Sequence, residues 1–136
     1  MKLKDLIDAL ASEIENIQPQ LGINLDDLLS LTSDDPAFMD ALDQYSGQVQ
    51  RMGEAMELAG FPGLQEVCNH VLENSLLLAT QEPGERQTAI TFLRRWPALM
   101  VHYLQHLEDP SAAAGLLDPM RNAPHPMSEE SILKIM

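Results

Sequence analysis

Between Asp35-Pro36 and Gly60-Phe61-Pro62 the chain places Phe38, Leu42, Tyr45, Val49, Met52, Met56 and Ala59 at alternating steps of four and three residues. Such a row lies along one side of an α-helix, whereas a strand would place apolar residues at every second position. Both ends are punctuated. An Asp side chain can accept an orphan N–H, and proline suits the first helical position because its missing donor costs nothing there. At the far end a glycine takes the left-handed cap, an apolar residue follows, and proline prevents continuation. A seam this long, spaced as in a helical bundle or coiled coil, is stable only when other helices cover it, so the rest of the chain has to supply them.

It does so with the same period. Leu3, Leu6, Ile7, Leu10, Ile14 and Ile17 predict a first helix over about 3–17, with Gly22 ending that region and Asn24 or Asp26 capping a short turn through Leu28, Leu29 and Leu31. A third long helix is predicted over 63–80. Leu64, Val67, Cys68, Val71, Leu72, Leu76 and Ala79 form its apolar side, and Glu66, Asn69, His70 and Glu73 its solvent side. Glu82-Pro83-Gly84-Glu85 reads as a turn. A fourth helix starts near Arg86 and carries Ile90, Leu93, Met100, Leu104 and Leu107, with a kink or a restart expected at Pro97. Beyond Asp109-Pro110 a short helix is predicted over 112–120, a proline-containing linker over 122–127, and a further helix opening at Ser128. The apolar Ile132, Leu133, Ile135 and Met136 run to the last residue, which suggests an excised N-terminal piece of a longer polypeptide. The expected fold is all-α: an up-and-down four-helix bundle over 1–109 with a C-terminal helical extension over 110–136. Its core should bury Phe38, Leu42, Tyr45, Val49, Met52 and Met56 against Leu64, Val67, Val71, Ile90, Leu93 and Met100.

Composition narrows the function. The 136 residues suit one domain, and 8 Lys+Arg against 21 Asp+Glu give a net charge of −13. That charge repels polyphosphate and anionic lipid, so neither nucleic acid nor membrane is an expected partner. Cys68 is the single cysteine, which excludes an internal disulfide and a cysteine-based zinc site. No apolar run approaches the ~18 to 20 residues that cross a bilayer, and the N-terminus turns acidic at Asp5, unlike a secretory signal. A cytoplasmic location is expected. No phosphate-binding glycine loop, nucleophile elbow, zinc-protease helix or EF-hand loop occurs, and no cofactor or metal is implied.

Several side chains merit weighing. His102 and His106 are four apart, the spacing that turns two imidazoles toward one metal, but no third ligand converges. The ordinary reading is two half-exposed histidines on an acidic helix. His125, between two prolines, reads as solvated linker. Cys68 on an apolar side reads as a buried inert thiol. Arg94-Arg95-Trp96 offers a cationic and aromatic patch, though such clusters more often pair with local acids and pack the tryptophan. Gly47 and Gly53 each weaken a helix interior by about 1 kcal/mol relative to alanine. Gly53, at the seam's margin, would let a neighbouring helix or a partner come close.

The stretch from Gln50-Arg51-Met52-Gly53-Glu54 through Gly60-Phe61-Pro62-Gly63-Leu64-Gln65-Glu66-Val67-Cys68 to Glu73 resembles the central helical hairpin of histidine phosphotransfer (HPt) domains. In that family the phosphoryl-accepting His opens a His-x-Leu-Lys-Gly run. A helix-ending Gly follows ten residues later, and a Leu-x-x-Leu/Val-Cys pattern comes on the next helix. Gly60, Leu64, Val67 and Cys68 match the later positions. The acceptor half departs: Gln50 stands where the histidine belongs, Gly53 where the lysine belongs and Glu54 where the glycine belongs. A primary amide lacks imidazole's nucleophilic lone pair. A phosphoryl group ~5 Å from the Glu54 carboxylate would be repelled by about 1 to 3 kcal/mol. Shifting the register by one places Val49 at the acceptor. His70-Val71-Leu72-Glu73-Asn74-Ser75 echoes the motif again, but with Glu73 for lysine, Asn74 for glycine and Thr80 where the helix should stop. A solvated His70 beside Glu66 and Glu73 is the ordinary expectation there.

The resemblance therefore implies a degenerate HPt-like module, as found near the N-terminus of CheA-like hybrid histidine kinases of type IV pilus chemosensory systems. It implies two-component, phosphorelay signalling and a parent histidine kinase, with no catalysis by this segment. It would bind the kinase core or response-regulator domains through the face around Gln50, Gly53, Glu54 and Glu57. Two other readings stand beside it: an active phosphotransfer domain using His70, and an unrelated helical interaction or dimerisation domain.

Overall fold

In the computed structural model, which describes residues 2–121, the regular elements are helices: α1 (Leu3–Ser30), α2 (Pro36–Leu58), α3 (Pro62–Leu77), α4 (Gln87–Gln105) and α5 (Pro110–Arg121). Single 3-10 turns at Leu78–Thr80 and Pro83–Glu85 join α3 to α4. No strand occurs among the described residues. The predicted linker with His125 and the helix opening at Ser128 lie outside them.

Local signals set the ends of α2 as the sequence requires. Asp35 Oδ1 accepts the Ala37 N–H at 2.9 Å, and Pro36 occupies the first turn. At the other end Gly60 takes φ +90°, Phe61 N–H reaches back to Met56 O at 2.8 Å, and Gly60 N–H to Glu57 O at 3.0 Å. That pair of reversed bonds satisfies carbonyls the helix would otherwise leave orphaned, and only glycine takes the required φ without strain.

All twelve side chains expected in the core are buried. At the centre Trp96 Nε1 donates to Tyr45 Oη at 2.9 Å, tying α4 to α2 and satisfying the two polar atoms inside the apolar mass. α1 packs against α2 and α4, α2 against α3, α3 against α4, and α5 against α4. Leu116 and Leu117 of α5 join the same core. Asn24 bonds to Gln44 and Gln48, Asp26 pairs with Arg94, and Gln65 bonds to Glu57, so side chains tie α1 to α2, α1 to α4 and α2 to α3.

Three local expectations are corrected. The first helix does not end before Gly22: it runs through Pro19 and Gly22 to Ser30. Leu21, Leu25 and Leu28 continue the stripe of Leu10 and Ile14 into the core, while Pro19 faces solvent and Gly22 is half-buried. Burial of that stripe outweighs the local helix-breaking preference. Of the kink or restart expected at Pro97, the restart does not occur: α4 continues to Gln105 with Trp96, Met100 and Leu104 buried on either side of it. Leu107 falls beyond the helix end and is exposed. Finally, α3 is rotated from its expected setting: His70, Asn74 and Ser75 face inward, while Leu76 is 56% exposed.

Arg86 is a feature that the apolar pattern does not foreshadow. Its side chain is fully enclosed, and its guanidinium carbon lies 4.5 Å from the centroid of the Phe38 ring. Nε donates to Leu78 O at 3.1 Å, Nη2 to Gln81 O at 3.1 Å, and Nη1 to Leu28 O at 3.0 Å and to Leu31 O. A cation at a helix N-terminus has the wrong sign for its own helix. Here it serves the ends of α1 and of the Leu78–Thr80 turn, whose last carbonyls carry partial negative charge. Burial lowers its pKa from the usual value, opposed by Glu82, and a guanidinium still keeps its proton.

Candidate functional site

The α2–α3 hairpin is built by the Asp35-Pro36 start, the Gly60 reversal and the second start at Pro62. Where the two helices cross, Gly53 is buried, and a Cβ placed on it would stand 3.2 Å from the Cβ of Cys68. The absent side chain is what permits the close approach. Gly53 therefore does not share the outer face with Gln50, Glu54 and Glu57; it packs inward, and a lysine at this position would not fit.

Gln50, Glu54 and Glu57 are exposed, while Val49, Met52 and Met56 of the same turns are buried. Glu57 Oε2 accepts from Gln65 Nε2 at 2.9 Å, which ties the outer face of α2 to α3. The position corresponding to the acceptor is thus solvent-facing and carries an amide, with carboxylates one and two turns on. This face can accept hydrogen bonds and attract cations. It holds no imidazole, the group that accepts phosphoryl in the family it resembles.

His70 is not the solvated residue expected from the sequence. Its side chain is 5% exposed. Asn74 Nδ2 lies 3.2 Å from its Nε2 and donates to its carbonyl at 3.0 Å, Nδ1 stands 3.9 Å from Glu73 Oε2, and the ring meets Phe92 of α4 edge-on at 6.2 Å. The α3 stripe chosen from hydropathy missed this because His70 and Asn74 satisfy one another and so go inside at little cost. An acceptor imidazole must meet its phosphoryl donor in line from solvent, and this side chain is buried.

The remaining candidates fall into place individually. His102 and His106 are exposed and stacked, centroids 4.3 Å apart, with His106 Nδ1 2.9 Å from His102 O. Parallel rings do not converge on one ion, and no group of three or more potential metal ligands occurs among the described residues. Asp109 Oδ1 accepts from Ser111 N–H at 2.9 Å and from Ser111 Oγ at 2.8 Å, which holds its carboxyl below the usual carboxylate range, with smaller contributions from His106 and His102. Cys68 is buried, and burial pushes its thiol up to about 12. Arg94 pairs with Asp26 and Trp96 is in the core, so these two are engaged within the fold, while Arg95 is exposed.

Sequence reasoning missed a groove of about 540 Å3 between α1 and α2, walled by Ile17, Met52 and Ala55, with Glu13, Asp43 and Arg51 among its polar residues and Gly47 in its lining. The signal was present in Gly47, a helix-interior glycine with no packing explanation: a Cβ there would meet only Arg51 Nη1, at 3.8 Å. No helix among the described residues is long and apolar enough to cross a membrane.

Compared with protein-family models, with curated proteins and with solved structures, the chain matches none of them.

Proposed function

We propose that this chain is an HPt-like module without a phosphoryl acceptor, acting by protein–protein contact within a two-component, chemotaxis-type signalling system. On this reading α1 to α4 form an up-and-down four-helix bundle over 1–109, residues 110–136 are a helical extension, and the module works in the cytoplasm beside a histidine kinase. The observation that carries the reading is the outer face of α2: an amide at Gln50, exposed at mid-helix, with Glu54 and Glu57 beyond it. The packing of α1 on α2, α2 on α3 and α1 on α4 supports the bundle, and the Gly60 stop with Leu64, Val67 and Cys68 buried on α3 supports the hairpin. The enclosure of His70 favours binding over an active relay through that imidazole.

The test is an amide-shift titration of the 15N-labelled chain with the kinase core and with receiver domains encoded by the same genome. Shifts centred on Gln50, Glu54 and Glu57 with one of them, and a weakening of tenfold or more in Glu54→Arg, are expected. Saturable binding that leaves this face unperturbed, or no binding to any of them, would refute the reading.

A further inference from the structure

We propose that the α1–α2 groove seats an amphipathic helix of a partner protein, with a carboxylate of that helix on Arg51. This does not rest on the phosphotransfer reading, since Gln50 and Arg51 project about 100° apart around α2. The groove extends along α2 from Asp43 to Ala55, about 18 Å at 1.5 Å per residue, which is the length of a little over three helical turns.

Two observations select the occupant. The first is Gly47. In the same helix Gly53 is explained by its contact with Cys68, but no side chain or backbone of another element comes within 4 Å of a Cβ on Gly47. The fold itself therefore does not ask for glycine there. What the glycine does is leave room at the floor of the groove for the Arg51 guanidinium, which lies over the backbone there and meets an occupant where a larger side chain would otherwise stand. The second observation is Arg51. It is the one Lys or Arg of α2 and α3, it is exposed, and it makes no ion pair with any described residue, in a chain of net charge −13. Its guanidinium lies over Gly47, at the middle of the groove. A guanidinium with five donors and no acceptor beside an apolar wall fits a carboxylate carried on an apolar face. Glu13 and Asp43 are exposed and belong to the lining, with Asp43 at one end of this stretch, so the complementary helix carries basic residues flanking its central acid. Ile17 and Ala55, both half-buried, meet its aliphatic side chains above the buried Met52, the helix-in-groove mode of recognition.

The full chain, 15N-labelled, is titrated with two synthetic helical peptides sharing one leucine face. One has a central Glu flanked by Lys, and the other has the charges reversed. The expected result is amide shifts over 13–17 and 43–55, with the Glu-centred peptide binding at least tenfold tighter. Gly47→Leu, whose fold is checked by its thermal midpoint, should weaken that binding tenfold or more, and Arg51→Glu should invert the preference between peptides. If Gly47→Leu does not fold, the inversion in Arg51→Glu decides alone. Equal binding of the two peptides, shifts outside the groove, or binding unchanged in both variants would overturn the proposal. So would self-association in sedimentation that Arg51→Glu abolishes, which would assign the groove to a second copy of the chain.

Discussion

Replacing Arg86 by methionine isolates what a buried cation contributes to this fold. The substitution keeps most of the aliphatic volume and removes the donors to four carbonyls, those of Leu28, Leu31, Leu78 and Gln81. Hydrogen bonds from a charged donor contribute about 1.5–3 kcal/mol each, but the four do not add. The Leu31 and Gln81 bonds are only partly buried, so water replaces Arg86 there at small cost. Leu78 O keeps the Gln81 N–H at 3.3 Å. Leu28 O is left to bear most of the penalty, about 1–3 kcal/mol for a buried carbonyl without its partner. The cation over Phe38 adds about 1 kcal/mol, and the released helix ends of α1 and the Leu78–Thr80 turn a similar amount. Relief of the guanidinium's own desolvation offsets part of this. The expected net loss is about 2–4 kcal/mol, a large share of the ~5–15 kcal/mol that holds a domain together. Urea unfolding followed by the fluorescence of Trp96, the single tryptophan and fully buried, measures it directly. Arg86→Lys retains charge with fewer donors and should recover less than half of the loss. A loss below about 1 kcal/mol for Arg86→Met, or full recovery by lysine, would refute the account of Arg86 as the clamp joining these ends.

Tyr45→Phe leaves the Trp96 N–H buried without its acceptor, and urea unfolding should show a loss of about 1–3 kcal/mol. Cys68, raised by burial, binds its proton more tightly folded than unfolded, so its stabilisation is complete below the unfolded thiol value and is lost as pH rises toward about 12. Unfolding free energy measured above pH ~9 should fall by about 1.4 kcal/mol per pH unit, more steeply above pH ~10 where Tyr45, also raised by burial, adds in; Cys68→Ala should remove the first part of the slope. In the native state a thiol reagent at pH 8 should leave Cys68 unmodified. Gly47→Ala should raise stability by about 0.5–1 kcal/mol, because nothing opposes the gain in helix propensity. Gly53→Val should lose about 1–3 kcal/mol by forcing α2 from Cys68.

What was legible in the sequence follows from how local each cause is. The α2 seam, its Asp35 cap and its Gly60 reversal were readable because periodicity and end signals, all within one segment, agree. The same period gave the exposure of Gln50, Glu54 and Glu57 and the burial of their neighbours. The length of α1 was not readable, since Pro19 and Gly22 argue locally for a stop and only the packing of Leu21, Leu25 and Leu28 onto other helices overrides them. The rotation of α3 was hidden because hydropathy ranks Leu76 as core and His70 as surface, while the mutual hydrogen bonds of His70 and Asn74 reverse that order. Arg86 was out of reach because two of its acceptors, Leu31 O and Leu28 O, are 55 and 58 residues away in the chain. The α1–α2 groove depends on how Glu13 and Ile17 of one helix sit beside 43–55 of the next, a relation between elements that no local pattern carries, so Gly47 stood out only as an oddity.

Phosphorylation by labelled ATP and a histidine kinase core that labels a competent phosphotransfer domain alongside is the most direct measurement. The account has this chain bind and remain unlabelled. Acid-labile, base-stable phosphate on the chain, at His70 or any other histidine, would contradict it.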